Sequence, residues 1–370
     1  MDNVLSVLEN VEAPLRLAGV ALFALLFARG LTAAEAPPIA SARRLLARVF
    51  AAAAILLSLV AGFNYLVNPL GIYSTRLFEP IVLHSRSDKM RLYRSVNPPP
   101  EIVVLGSSSS FSMPPAYIQE RTGRPAFNAS LHGGVPEDYL AFLRYLVSLD
   151  KVPRLLIVPL SVELLRPNLP TGFEPNNPLV PFLEHEHGDL LDGPRRLVTL
   201  EQTRASLRLL AAERRGRPPV HYRFDADGWG HFAQTDVPLE RIVEAYMATK
   251  EWGPALFGFS HLDSRQLSFF REFLALARRL RVTVIVYVPP LYPKAVAFYE
   301  KETNLTALRE ELLGQLQAWR GEGLIASVHD FTRLESFGGK ASEFADLAHP
   351  TAEASRRMLD QIFQAPLPTS

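Results

Sequence analysis

The chain has 370 residues, 48% of them hydrophobic and 21% charged, which is room for one large domain or two ordinary ones and excludes a disordered polymer. Its 39 basic and 38 acidic side chains leave a net charge of +1, so no basic footprint for nucleic acid is expected. With no cysteine there is no disulfide, no thiolate metal site and no cysteine nucleophile.

Taken in chain order, two apolar stretches come first. One runs over about residues 15–34 and is broken by Arg29; the other covers 49–67 (VFAAAAILLSLVAGFNYLV) without a charge. A bilayer core needs roughly 20 mostly apolar residues as helix, so both are expected to cross a membrane. A cleaved signal before Glu35 is the other reading of the first stretch. It fits less well, because Asp2, Glu9 and Glu12 outweigh Arg16 where a signal needs a basic start. Arg29, Arg43, Arg44 and Arg48 flank the connector between the stretches, and the positive-inside rule puts it in the cytoplasm, with both chain ends outside. Residues 1–73 are thus read as a membrane anchor and 74–100, ending in Pro98-Pro99-Pro100, as a polar, irregular linker.

From residue 101 the pattern changes. Short apolar runs at 101–105 (EIVVL), 155–159 (LLIVP), 282–288 (VTVIVYV) and 325–331 (IASVHDF) read as buried parallel strands. Helical periodicity lies between them at 136–150, 264–280 and 305–319, with a last helix at 351–363. Strands alternating with helices predict an α/β fold, a parallel sheet with helices on both faces. The stretch 168–260, rich in Pro, Gly and charge, reads as an insertion with helices near 200–215 and 239–249.

Three short motifs carry the chemistry. The first strand runs into Gly106-Ser107-Ser108-Ser109-Ser110, a turn at the carboxyl edge of the sheet, where ligands bind. Asn128-Ala129-Ser130-Leu131-His132-Gly133-Gly134 follows about twenty residues later, its glycines suited to bringing backbone N–H groups close to a ligand. Asp346-Leu347-Ala348-His349-Pro350 stands before the last helix, where the acid can orient the imidazole. In order and spacing the three blocks resemble the SGNH (GDSL-like) hydrolase superfamily. The resemblance covers about residues 101–365 and implies a flavodoxin-like three-layer α/β/α domain. It implies Ser108 as nucleophile, His349 as general base and Asp346 as its orienting acid, with oxyanion and binding contacts from Gly133, Asn128, Ser161 and Ser107. Ser107 stands where the family has Asp, and Pro159-Leu160-Ser161-Val162-Glu163 lacks the family's oxyanion-binding Asn. Both departures are shared with membrane-tethered proteins of cell-envelope polymer acylation, of the alginate O-acetylation and teichoic-acid D-alanylation types.

The resemblance implies an extracytoplasmic esterase or O-acyltransferase acting on an acylated envelope glycan, with other acylation components as possible partners and no cofactor or metal. A lipid esterase or thioesterase, or a non-catalytic assembly protein on the same fold, are the alternatives. His185, Glu186, His187 and Asp189 match no metal-site spacing and read as a solvated loop. Asp225 to Gly230 lacks the full calcium-loop pattern and reads as a turn. His132 is either a cleft residue or a loop histidine, and Tyr287, Pro289, Pro290 and Tyr292 are expected at the cleft rim.

Overall fold

The computed structural model describes residues 39–69, 75, 77–78, 85–167, 178–183, 197–216, 222–232, 236–249 and 252–364. The expected first membrane helix and the cluster at His185 to Asp189 lie outside them. The chain divides into two compact units, Met1–Val60 and Ala61–Ser370.

In chain order the elements are α1 (Ile39–Val67), α2 (Ser85–Ser95), β1 (Ile102–Val104), α3 (Pro115–Thr122), β2 (Ala126–Asn128), α4 (Pro136–Ser148) and β3 (Leu155–Pro159). Then come α5 (Leu200–Arg214), β4 (Tyr222–Phe224), β5 (Gly230–Phe232), α6 (Leu239–Ala248) and α7 (Ser264–Arg279). The last are β6 (Thr283–Val288), α8 (Pro293–Glu302), α9 (Leu305–Gly321), β7 (Ser327–Asp330) and α10 (Ala352–Ile362).

Over Arg43–Val67, α1 is long and apolar enough to cross a membrane. Phe50, Ile55, Leu56, Leu57 and Leu59 are exposed, unlike the apolar face of a buried core helix. Its last turn differs in character. Asn64 is fully buried, donating to Leu197 O (2.7 Å) and Thr203 Oγ1 (2.9 Å) and accepting from Ser206 Oγ (2.8 Å). Asn68, at a φ of 47°, then ends the helix.

The main sheet has the order β2-β1-β3-β6-β7, all parallel. Its strands read as continuous apolar runs because both faces are covered, and side chains alternate between two cores. Val103, Leu156, Val158, Val284 and Val286 face α4, α7 and α9. Ile102, Val104, Leu155, Ile157, Ile285 and Tyr287 face α3 and α10. Helix ends are set locally. Pro136 opens α4 at the position where a missing N–H costs nothing, and Asp138 Oδ2 accepts from Val135 N (3.1 Å). Asp263 caps α7 by accepting from Arg265 N (2.7 Å).

Two segments differ from expectation. Residues 85–95 form a helix inside the expected irregular linker; two of the three residues in its buried stripe, Ser85 and Lys89, are polar, so a hydrophobic pattern does not show it. Asp225 to Gly230 is a turn as expected, but it closes an antiparallel β4–β5 hairpin.

The larger core is aromatic where α4, α7 and α9 meet. Phe270 lies 5.6 Å from Trp319, 5.6 Å from Phe273 and 6.4 Å from Tyr139, ring centre to ring centre. Phe270→Ala is expected to lower unfolding free energy by about 3–5 kcal/mol, read from denaturant titration, because the fixed helices cannot close on the void.

Candidate active site

Parallel strands end on one edge, and the three sequence blocks follow β1, follow β2 and precede α10. Gly106 leaves β1 in a close approach to Pro159 at the end of β3, where any Cβ would strike the proline ring. The next residues form a single 3-10 turn, Ser108–Ser110, which sorts the four serines. Ser107 and Ser109 are buried and share a hydroxyl–hydroxyl bond of 2.9 Å. Ser110 is fully buried and donates to Ser107 O (2.8 Å), while also meeting Ser130 Oγ (2.8 Å). Ser108 alone is half-exposed, and its Oγ lies 2.8 Å from His349 Nε2.

His349 Nδ1 lies 2.7 Å from Asp346 Oδ2. Asp346 Oδ1 accepts from the N–H groups of Ala348 (2.9 Å) and His349 (3.0 Å), so the acid is locked by its own turn. Burial alone would raise the Asp346 carboxyl, but the His349 imidazole and these donors outweigh it and hold it below the usual range. An ionised Asp346 accepts Nδ1–H, which leaves the Nε2 lone pair facing Ser108. Phe232, on the β4–β5 hairpin, packs its ring 4.7 Å from the imidazole centre. Phe111, next to the serine turn, stacks edge-on against Phe224 of the same hairpin (5.2 Å).

These groups open onto a cavity of about 410 Å³. Ser107, Ser108, Gly133, His132, Asp346 and His349 line it. Leu164, Tyr246, Trp252 and Leu256 give the lining an apolar part, and Glu163 and Arg166 add two charged side chains. Gly133 adopts a φ of +55°, which a side chain would strain. Among the described residues, neither the Ser108 N–H nor the Gly133 N–H has a hydrogen-bond partner.

The other expected site residues lie elsewhere. Asn128 is fully buried behind the cleft; its amide donates to Ser110 O (2.7 Å), Phe111 O (3.2 Å) and Met113 O (2.9 Å), so it braces the serine turn instead of facing a ligand. Ser161 donates its hydroxyl to Glu163 Oε1 (2.6 Å). Tyr287 is not at the rim: it lies inside the sheet, buried against Phe331. Tyr292 is buried at the start of α8, while Pro289 and Pro290 line a smaller adjoining cavity with Ser161 and Glu163. Glu163 closes the stretch that lacks the family's Asn, with no role assigned to it by the sequence; Arg166 and Phe232 belong to no motif.

Helix α2 fixes the second loop from behind. Ser85 Oγ accepts from His132 N (2.8 Å). Arg86 donates to Asp138 through both Nε (2.7 Å) and Nη2 (2.5 Å), and to His132 O through Nη1 (3.3 Å). Lys89 is fully buried; its Nζ donates to Asn128 O (2.7 Å) and to Gly228 O of the hairpin turn, and lies 4.1 Å from the Phe224 ring centre. Burial pushes its amine well below the usual lysine range, against the pull of Asp227 and Asp88. Lys89→Met is expected to strand two buried carbonyls, costing about 1–3 kcal/mol for each. Denaturant unfolding should show that loss.

No family model and no curated protein matches the chain. Among solved structures it is similar to a protein described as a putative acylhydrolase from Bacteroides fragilis NCTC 9343, with a TM-score of 0.35 and 13% identity, over 76% of this chain and 92% of that one.

Proposed function

We propose that this chain is a serine esterase or O-acyltransferase of the SGNH type, with Ser108 as nucleophile, His349 as general base and Asp346 as the acid that orients it. The observation that carries the reading is the unbroken relay Ser108 Oγ–His349 Nε2 (2.8 Å) and His349 Nδ1–Asp346 Oδ2 (2.7 Å) at the edge of a parallel sheet. In the first step Ser108 Oγ bonds to the ester carbon and its proton passes to Nε2. The carbonyl electron pair moves onto oxygen, which the free N–H groups of Ser108 and Gly133 stabilise. The imidazolium then protonates the departing alcohol. Water, or the hydroxyl of an acceptor, releases the acyl group by the reverse sequence.

The substrate reading is an acylated cell-envelope polymer, met on the outer side of a membrane that α1 and a preceding helix anchor. The arginines flanking the connector support that orientation. The apolar lining of Leu164, Tyr246, Trp252 and Leu256 favours a second reading, a lipid esterase or thioesterase with a longer acyl chain. A series of p-nitrophenyl esters separates the two: kcat/KM falling from acetyl to octanoyl fits the polymer reading, and the opposite trend fits the lipid one.

Ser108→Ala and His349→Ala are each expected to lower ester turnover by at least roughly 10³-fold, while Asp346→Asn retains measurably more, because base and nucleophile act as a unit. Wild-type rates from Ser108→Ala contradict the assignment. A reporter active only outside the cytoplasm, fused after Tyr73, is expected to be active; a cytoplasmic reporter active there overturns the orientation and the envelope substrate.

A further inference from the structure

The mechanism above leaves one acidic side chain of the cavity unused. After β3 the chain stays extended through Ser161, then makes one 3-10 turn over Val162–Leu165. That turn puts Glu163 and Arg166 into the wall of the cavity that holds Ser108, Gly133 and His349. Glu163 and Asp346 are its two acidic lining residues among those described. Asp346 is committed to His349 (2.7 Å). Glu163 Oε1 accepts from the Ser161 hydroxyl (2.6 Å), which spends the Ser161 proton and removes Ser161 itself as a donor to substrate.

The charged and titratable groups around Glu163 can be named from every element packed on it. Arg166 lies on its own turn, His349 precedes α10, Tyr139 belongs to α4 and Tyr299 to α8. His132 lines the same cavity, and Arg309 of α9 lines the adjoining one. Arg309 is already paired with Asp330 (2.5 Å). Burial raises the Glu163 carboxyl above its ordinary value of 4.5. That outweighs the Ser161 hydroxyl, the backbone N–H of Glu163, Arg166 and His349, which all favour the anion. A carboxylate in the cavity shared with Ser108 and Gly133 would repel the negative charge that a substrate oxygen gains during attack. A neutral carboxyl presents an O–H instead, in a site partly screened from water, where such donors act most strongly.

We propose that Glu163 is a catalytic residue that works as a neutral carboxylic acid, donating a hydrogen bond to the substrate oxygen that becomes negative when Ser108 attacks. The inference rests on the reading of Ser108 as nucleophile. In the step, the Ser108 Oγ–carbon bond forms, the Ser108 proton goes to His349 Nε2, and the carbonyl electron pair moves to oxygen. The Glu163 proton stays on Glu163, shared with that oxygen until the intermediate collapses. Together with the two free backbone N–H groups it completes a three-donor cradle.

The test is the pH dependence of kcat and KM for a short-chain nitrophenyl ester, using the full chain in detergent as wild type, Ser108→Ala, Glu163→Gln, Glu163→Ala and Arg166→Ala. A group whose proton is needed loses function as pH rises through its folded-state pKa, so wild type should decline on the alkaline side. Glu163→Gln keeps an uncharged donor: it should stay within about tenfold of wild type in kcat and lose that alkaline limb. Glu163→Ala should lose about 10²–10³-fold in kcat with a smaller change in KM. An active wild type whose alkaline limb survives in Glu163→Gln overturns the proposal, even if Glu163→Ala does not fold. So does a Glu163→Ala variant as active as wild type, or a loss confined to Arg166→Ala, which would make the guanidinium the donor. A wild type no more active than Ser108→Ala overturns the serine reading itself, and this one with it.

Discussion

The hydrogen bond between Ser108 and His349 joins residues 241 apart in the chain, and most of the surrounding structure can be read as what holds its two ends together. One end depends on β1 running into a turn tight enough that Gly106 touches Pro159. The other depends on Asp346, whose two oxygens grip the imidazole and the turn that carries it. A side-chain bond of this kind contributes only about 1 kcal/mol net. Its geometry is therefore set by the sheet and by the packing of α3 and α10 beneath it.

Buried polar groups supply the remaining precision. Asn128 donates to three carbonyls at the end of the serine turn and just after it, and Lys89 ties the second loop to the hairpin. Arg86 and Asp138 form a bidentate pair beside them, with Asp138 wholly shielded. Such pairs add little stability over an apolar core but are costly to break singly, so they favour one arrangement over its neighbours. Helix α2 belongs to this framework, and the residues that follow the apolar helix α1 therefore reach the back of the site. The β4–β5 hairpin belongs to it too, since Phe232 covers the imidazole.

The sheet was legible because its strands are buried on both faces. Runs such as LLIVP carry no polar residue to mislead a reader, and α4, α7 and α9 show their apolar stripe. The three blocks were legible because their residue types and order are restrictive. Helix α2 buries Ser85 and Lys89 instead of aliphatic residues, so its amphipathicity is invisible to a hydrophobic pattern. Strand β2 is three residues long, too short for a period, and only its end at Phe127-Asn128, before the second block, could be read. Asn128 reads as a ligand contact by its motif, yet burial turns it inward. Glu163 and Phe232 enter the site through chain geometry: one by a single 3-10 turn, the other by a hairpin placed across the domain surface.

The pairing of Ser108 with His349 is tested most directly by labelling with a fluorophosphonate and mapping the adduct by peptide mass spectrometry. Four serines run together from Ser107 to Ser110, and the structure gives only one of them a histidine. A single adduct is expected on Ser108, disappearing when His349 is replaced. An adduct on Ser107, Ser109 or Ser110, or labelling indifferent to His349, would contradict that pairing.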